Sequence, residues 1–97
     1  MPGYLIANIK VTDPAGFERY RAEVPAVIAR HGGRYLVRGG TVDRVENADG
    51  FNRVVVLEFP SLEAARAFYH GPDYAPLSKL RSDSTDSQVI LVDGYAG

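Results

Sequence analysis

This sequence predicts an α+β fold of order β-α-β-β-α-β, and three observations carry that prediction. Apolar runs of strand character, above all Arg53–Phe59 (RVVVLEF) and Gln88–Asp93 (QVILVD), are separated by segments whose apolar residues recur at helical spacing. Helix signals bracket those segments, with Asp13-Pro14 and Pro60-Ser61 opening them and Gly32-Gly33 and Gly71-Pro72 closing them. The stretch HGGRYLVRGG, His31 to Gly40, ends a helix, turns the chain and starts a strand that carries Arg34 and Arg38. This is the ferredoxin-like plan, in which helices cover one face of an antiparallel sheet.

Each element has its local reason. Tyr4–Val11 (YLIANIKV) is rich in β-favouring residues and forms the first strand. Asp13 is then an N-cap with Pro14 at the first helical position, where a missing N–H costs nothing. Phe17, Tyr20, Val24, Val27 and Ile28 make the apolar stripe of that helix, and Pro25 inside it predicts a kink. Gly32 and Gly33 supply the stop, at least one of them at positive φ. Arg34–Arg38 begins the second strand, which bends at Gly39 and Gly40 and continues over Thr41–Glu46. A turn over Asn47–Asn52 leads to Arg53–Phe59. Pro60 and Ser61 open a helix through Tyr69, with Leu62, Ala65, Phe68 and Tyr69 on its apolar side. A shorter helical piece spans Asp73–Arg81, the polar segment Ser82–Ser87 is a loop, and Gln88–Asp93 is the last strand.

Composition bounds the function classes. A chain of 97 residues is expected to be one domain, residues 1–97, with a modest core. Its formal net charge of −1 gives no electrostatic reason to expect nucleic acid or an anionic membrane. With no cysteine there is no disulfide, thiol nucleophile or thiolate metal site. The apolar start of the chain is too brief for a signal peptide or a membrane span, so a cytoplasmic location is expected.

Helices on one face leave the other face bare, and a half-exposed sheet should alternate apolar with polar residues. VVVLEF and VILV are apolar on both faces instead. No element of the chain remains to cover the second face, so the sequence predicts a homodimer formed sheet against sheet.

The combination of VTDPAGFERY, HGGRYLVRGG, RVVVLEFPSLEAARAFYHGPDYAPL and LRSDSTDSQVILVDG resembles, over nearly the whole chain, the bacterial family called domain of unknown function thirteen-thirty. The resemblance implies a dimeric α+β barrel. That superfamily includes cofactor-free monooxygenases, haem-degrading enzymes, small lactone isomerases and ligand-binding modules, so the resemblance strengthens the fold and leaves function open.

Candidate site residues follow from what interrupts the apolar pattern. Glu58 shares a strand face with Val54 and Val56, and a carboxylate there is costly unless paired; Arg38 or Arg81 is the expected partner. The pair either fixes strand register or belongs to a polar cluster lining a ligand cavity. On the first strand Tyr4, Ile6, Asn8 and Lys10 share one face. His31 precedes Gly32 and His70 precedes Gly71, positions where each can cap the last carbonyls of a helix. Tyr35, Tyr69 and Tyr74 either line a pocket or belong to the core.

The histidines have neither HxH nor HExxH spacing, the glycines fit neither GxGxxG nor a phosphate loop, and no GxSxG is present. No metal or cofactor is therefore expected.

Two functions of different class remain. One is a non-catalytic module holding a small metabolite in a barrel cavity. The other is a cofactor-free, monooxygenase-like or isomerase-like enzyme acting on a small oxygenated or aromatic metabolite. In the enzyme, His31 or Glu58 would accept a proton, and Asn8, Tyr35, Arg38 and Arg81 would contact substrate. A cavity that gathers a histidine, a carboxylate and an arginine points to the enzyme. An ion-paired Glu58 points to the module.

Overall fold

The computed structural model describes residues 1–96. Strand β1 (Gly3–Val11) leads to helix α1 (Pro14–Arg30), then strands β2 (Arg34–Arg38) and β3 (Arg53–Phe59). Helices α2 (Leu62–His70) and α3 (Ala75–Ser84) and strand β4 (Thr85–Asp93) complete the order. The strands form one antiparallel sheet in the order β2-β3-β1-β4, the ferredoxin-like arrangement. Among the described residues no helix is long and apolar enough to cross a membrane.

Strand alternation decides which side chains meet the helices. Leu5, Ala7 and Ile9 of β1 and Leu57 and Phe59 of β3 face the helical layer. There they pack with Phe17, Val24, Val27 and Ile28 of α1, with Ala65 and Phe68 of α2, and with Tyr74. Gly3 admits no side chain, because a Cβ there would lie 2.5 Å from the backbone of Leu62.

Helix ends follow the local chemistry. Asp13 occupies the N-cap of α1 without a side-chain hydrogen bond, whereas Ser61 caps α2 by accepting from Ala64 N at 3.0 Å. Gly32 sits at φ +75°, and the N–H groups of Gly32 and Gly33 donate to the carbonyls of Ala29 and Ile28, closing the helix. Helix α1 runs unbroken through Pro25. Proline has no N–H to offer the carbonyl of Arg21 one turn earlier. That carbonyl instead accepts from Arg38 Nη2 at 3.1 Å, which ties α1 to β2.

Two boundaries differ from the sequence expectation. Thr41–Glu46 is not strand: β2 ends at Arg38, and residues 39–52 form an irregular loop. Asn8 of β1 holds that loop, donating to Gly50 O at 2.8 Å and accepting from Asn52 N at 2.9 Å. Residues 82–87 are not a loop either. Helix α3 continues to Ser84 and passes directly into β4, because Ser84 and Thr85 turn their hydroxyls back onto the carbonyls of Leu80 and Arg81. The polar residues that suggested solvation satisfy helix-end carbonyls.

Across the uncovered face run rungs of matched residues. Val37 pairs with Val56, Val56 with Ile6, and Ile6 with Ile90, an apolar row across all four strands. Beside it lies a mixed row of Arg34, Glu58, Tyr4 and Val92.

Candidate functional site

Between the covered face of the sheet and the helices lies a cavity of about 40 Å³. Leu5, Ala7, Val55, Leu57 and Val89 form its floor, and Phe17, Val24, Ile28 and Phe68 close it from the helices. Its polar lining consists of tyrosines and arginines alone: among the described residues, no histidine, aspartate or glutamate reaches it.

These polar groups fall into two sets. Arg21, Arg38 and Arg53 gather around Tyr35 at the more exposed end. Arg38 lays its guanidinium 4.6 Å from the centre of the Tyr35 ring, and that of Arg53 lies 5.5 Å from the Phe17 ring. Burial holds Arg53 below its ordinary pKa, and the neighbouring cations Arg21 and Arg38 push it further the same way. Burial raises the Tyr35 hydroxyl despite those three cations, which act in the opposite sense.

The second set is deeper. Tyr20 and Tyr74 share a hydrogen bond of 2.8 Å between their hydroxyls. Burial, reinforced by Tyr74, raises the Tyr20 pKa far above its ordinary 10.0. Arg81 is buried beside them, bonded to Ser87 Oγ and within 3.5 Å of the Tyr69 hydroxyl. Burial pulls its pKa down, but the hydroxyls of Tyr74, Tyr20 and Tyr69 outweigh that effect and the net shift is upward.

Of the six residues given a role in the enzyme reading, Tyr35, Arg38 and Arg81 line this cavity, and of the other two tyrosines named with Tyr35, Tyr74 lines it and Tyr69 does not. The other three of the six lie elsewhere. His31 Nε2 donates to the Asp73 carboxylate at 3.1 Å and meets the edge of Phe68, joining the end of α1 to the α2–α3 turn. Asn8 binds the loop after β2 and Gln88, on the uncovered face. Glu58 also lies on that face, where it accepts from Arg34 Nε at 2.9 Å and from the Tyr4 hydroxyl at 3.3 Å.

The expected partners of Glu58, Arg38 and Arg81, are thus corrected to Arg34. A bulge between Tyr35 and Val37 is the cause. Simple alternation would put Arg34 and Arg38 on one face. The extra residue instead turns Arg38 to the covered side with Tyr35, while Arg34 stays opposite Glu58. Arg81 is separated from Glu58 by the sheet itself.

Sequence reasoning passed over Arg21, Arg53 and Tyr20 as site residues, although a signal for the two arginines existed. Arg21 falls in the apolar stripe of α1, four residues after Phe17 and three before Val24. Arg53 shares the inward period of Val55, Leu57 and Phe59. A cation in a buried stripe is the pattern to look for. Arg81, four residues after the partly buried Leu77 and three before the buried Ser84, follows it too.

Residues 2–95 match the model of a protein family described as Domain of unknown function (DUF1330). The chain belongs to the DUF1330 family. No curated protein matches this DUF1330 chain. Among solved structures it is similar to a protein of unknown function from Rhodopseudomonas palustris, with 17% identity and a TM-score of 0.75 over 99% of this chain and 84% of that one. It is also similar to SnoaB, a cofactor-independent oxygenase from Streptomyces nogalater, with 19% identity and a TM-score of 0.64 over 99% and 95% of the two chains. A dimeric ferredoxin-like protein of unknown function from Jannaschia sp. gives 13% identity and a TM-score of 0.64 over 99% and 100%. At these identities the likeness of the DUF1330 chain to each is one of fold.

Proposed function

We propose that this protein is a homodimeric binding module that holds a small molecule, without transforming it, in the cavity between its helices and its sheet. The character of the cavity lining carries this reading: an apolar enclosure with convergent tyrosine and arginine donors suits recognition of a ligand. Proton abstraction would need a base. His31 and Glu58 are engaged outside the cavity by Asp73 and Arg34, and burial beside Tyr74 holds the Tyr20 hydroxyl in its protonated form. Tyr35, Arg38 and Arg81 serve as ligand contacts in this reading, while Asn8, His31 and Glu58 serve the fold.

The second copy covers the face opposite the helices. Ile6, Val37, Ile90 and Val92 are exposed there, in and beside the row that crosses all four strands. A bare apolar row of that kind marks an association surface. The ferredoxin-like protein from Jannaschia sp. is described as dimeric, which supports a dimer for this fold.

Both parts are tested on the full chain. Sedimentation is expected to give a dimer at micromolar concentration, and Val56→Asp to give a monomer or an unfolded chain, since a charge at the centre of the row has no partner. Amide NMR with a panel of small acids, amides and alcohols is expected to move resonances of Val55, Val89 and Tyr35, with the added compound recovered unchanged. A monomeric parent overturns the dimer. Turnover of a bound compound, with oxygen uptake or isomerisation, overturns the non-catalytic reading.

A further inference from the structure

We infer that the cavity takes a small monocarboxylate, with its anionic head among Arg21, Arg38 and Arg53 and its short apolar body inside. This deepens the proposed binding function and rests on it.

The charge inventory comes first. Three guanidiniums converge at one end of the cavity, and Glu18 is the carboxylate that reaches them, at 3.2 Å from Arg21 Nη1. Glu18 itself lies out in solvent, its side chain 69% exposed. Three cations against one solvated carboxylate leave a local excess of positive charge. Like charges brought together with part of their surface out of water are unfavourable until an anion joins them.

The second observation is independent of charge counting. Nε of Arg21 and Nε of Arg53 are both buried, and neither has a hydrogen-bond partner among the described residues. Buried donors are normally satisfied, and each one that is not needs a reason. Arg38 is meanwhile held in place from behind. One of its Nη groups donates to the carbonyl that Pro25 leaves free on Arg21, and its guanidinium stacks on Tyr35. This fixes the plane of the guanidinium, and a planar fork held in place is what suits arginine to carboxylates.

Size then sets the class. A water needs about 10–15 Å³ of such enclosed space, so the cavity of about 40 Å³ has room for about three waters. Three waters occupy about 90 Å³ of liquid, close to the bulk of a short-chain acid and well below that of a fused aromatic system. The interior that receives the body is walled by Leu5, Ala7, Val55 and Val89, and the polar groups beyond them are already engaged, Tyr20 with Tyr74 and Arg81 with Ser87.

The test uses the whole protein and named probes: propionate, butyrate, hexanoate and decanoate, with butyramide as the neutral match of butyrate. By amide NMR titration, butyrate is expected to bind at least about tenfold more tightly than butyramide, the difference a charge-assisted contact supplies. Affinity is expected to peak between propionate and hexanoate. Arg53→Met and Arg38→Met are expected to abolish the preference for acid over amide while butyramide still binds. Because removing one of several crowded cations relieves repulsion, both variants should fold, and Arg38→Lys serves as a milder second variant.

Equal affinity for butyrate and butyramide overturns the anion site and leaves the cavity as a binding site. Affinity still rising at decanoate overturns the assignment to small acids. If neither acid nor amide moves a cavity resonance, the binding function falls with it.

Discussion

Arg34 stands directly opposite Glu58 on the uncovered face, with Nη2 2.8 Å from Oε1, while Arg38 on the same strand points to the other side of the sheet. In an isolated subunit the Arg34 side chain is 70% exposed, and such a pair is worth less than about 1 kcal/mol. In the proposed dimer, where a second copy covers the face, removing either partner leaves a charge out of water, at a cost of about 3–5 kcal/mol. A double-mutant cycle on Arg34→Met and Glu58→Gln is therefore expected to show coupling above about 2 kcal/mol in the dimer. The matching cycle on Arg38→Met and Glu58→Gln is expected to be additive within about 0.5 kcal/mol. Coupling as weak as that of a surface pair would place Glu58 in solvent and count against the dimer.

The glycines after α1 give a prediction of a different kind, about backbone and packing. Gly32 has φ +75°, a region an L side chain enters at a cost, so Gly32→Ala should lower stability by about 1 kcal/mol or more. Gly33 is restricted by neighbours: a Cβ there would lie 2.6 Å from Phe59 Cε1 and 2.8 Å from Ile28 Cγ2, and both rings and chains belong to the buried core. Gly33→Ala should cost about 1–3 kcal/mol by overpacking. For a domain of this length each kcal/mol corresponds to about 4–8 °C in Tm. Thermal unfolding in which both variants match the parent would contradict the assigned helix stop.

Much of the fold was legible because the signals were local. Periodicity in RVVVLEF, the Pro-Ser opening of α2 and the Gly-Gly close of α1 each depend on a few neighbouring residues, and the structure keeps all three. The site was less legible because it depends on register. A single extra residue between Tyr35 and Val37 decides which face Arg38 serves, and nothing in RYLVR announces a bulge. The helix-to-strand junction at Ser84-Thr85 was hidden for a related reason. Serine and threonine favour loops by bonding to backbone, and here the backbone they bond to is the end of their own helix.

Pro25 ties helix chemistry to the site. Its missing N–H leaves the carbonyl of Arg21 to Arg38, so Pro25→Ala restores a helical hydrogen bond that competes for the same acceptor. Alanine is also the better helix former. The variant should melt no lower than the parent, yet bind short carboxylates several-fold more weakly because Arg38 has lost its anchor. Calorimetric unfolding and butyrate titration on the same sample separate the two effects. Unchanged affinity with unchanged stability would show that Arg38 holds its position without the Arg21 carbonyl.

The buried tyrosines predict how stability depends on alkaline pH. Burial, with the Tyr74 hydroxyl beside it, keeps Tyr20 protonated in the folded protein far above its ordinary value of 10.0, whereas the unfolded chain ionises near that value. A group whose folded pKa is raised favours folding fully below its unfolded pKa, and the advantage drains as the pH rises beyond it, because only the unfolded state releases the proton. The Tm should therefore fall as the pH passes 10.0, and Tyr20→Phe should flatten that fall. Tyr35 is shifted in the same direction, chiefly by burial, so a remaining slope in the Tyr20→Phe variant should shrink again when Tyr35→Phe is added. Absorbance of tyrosinate should report fewer ionised rings than the six tyrosines present until the protein unfolds. If Tyr20→Phe keeps the parent's pH slope and all six tyrosines titrate before unfolding, the Tyr20–Tyr74 pair is open to water and the deep end of the cavity is not enclosed.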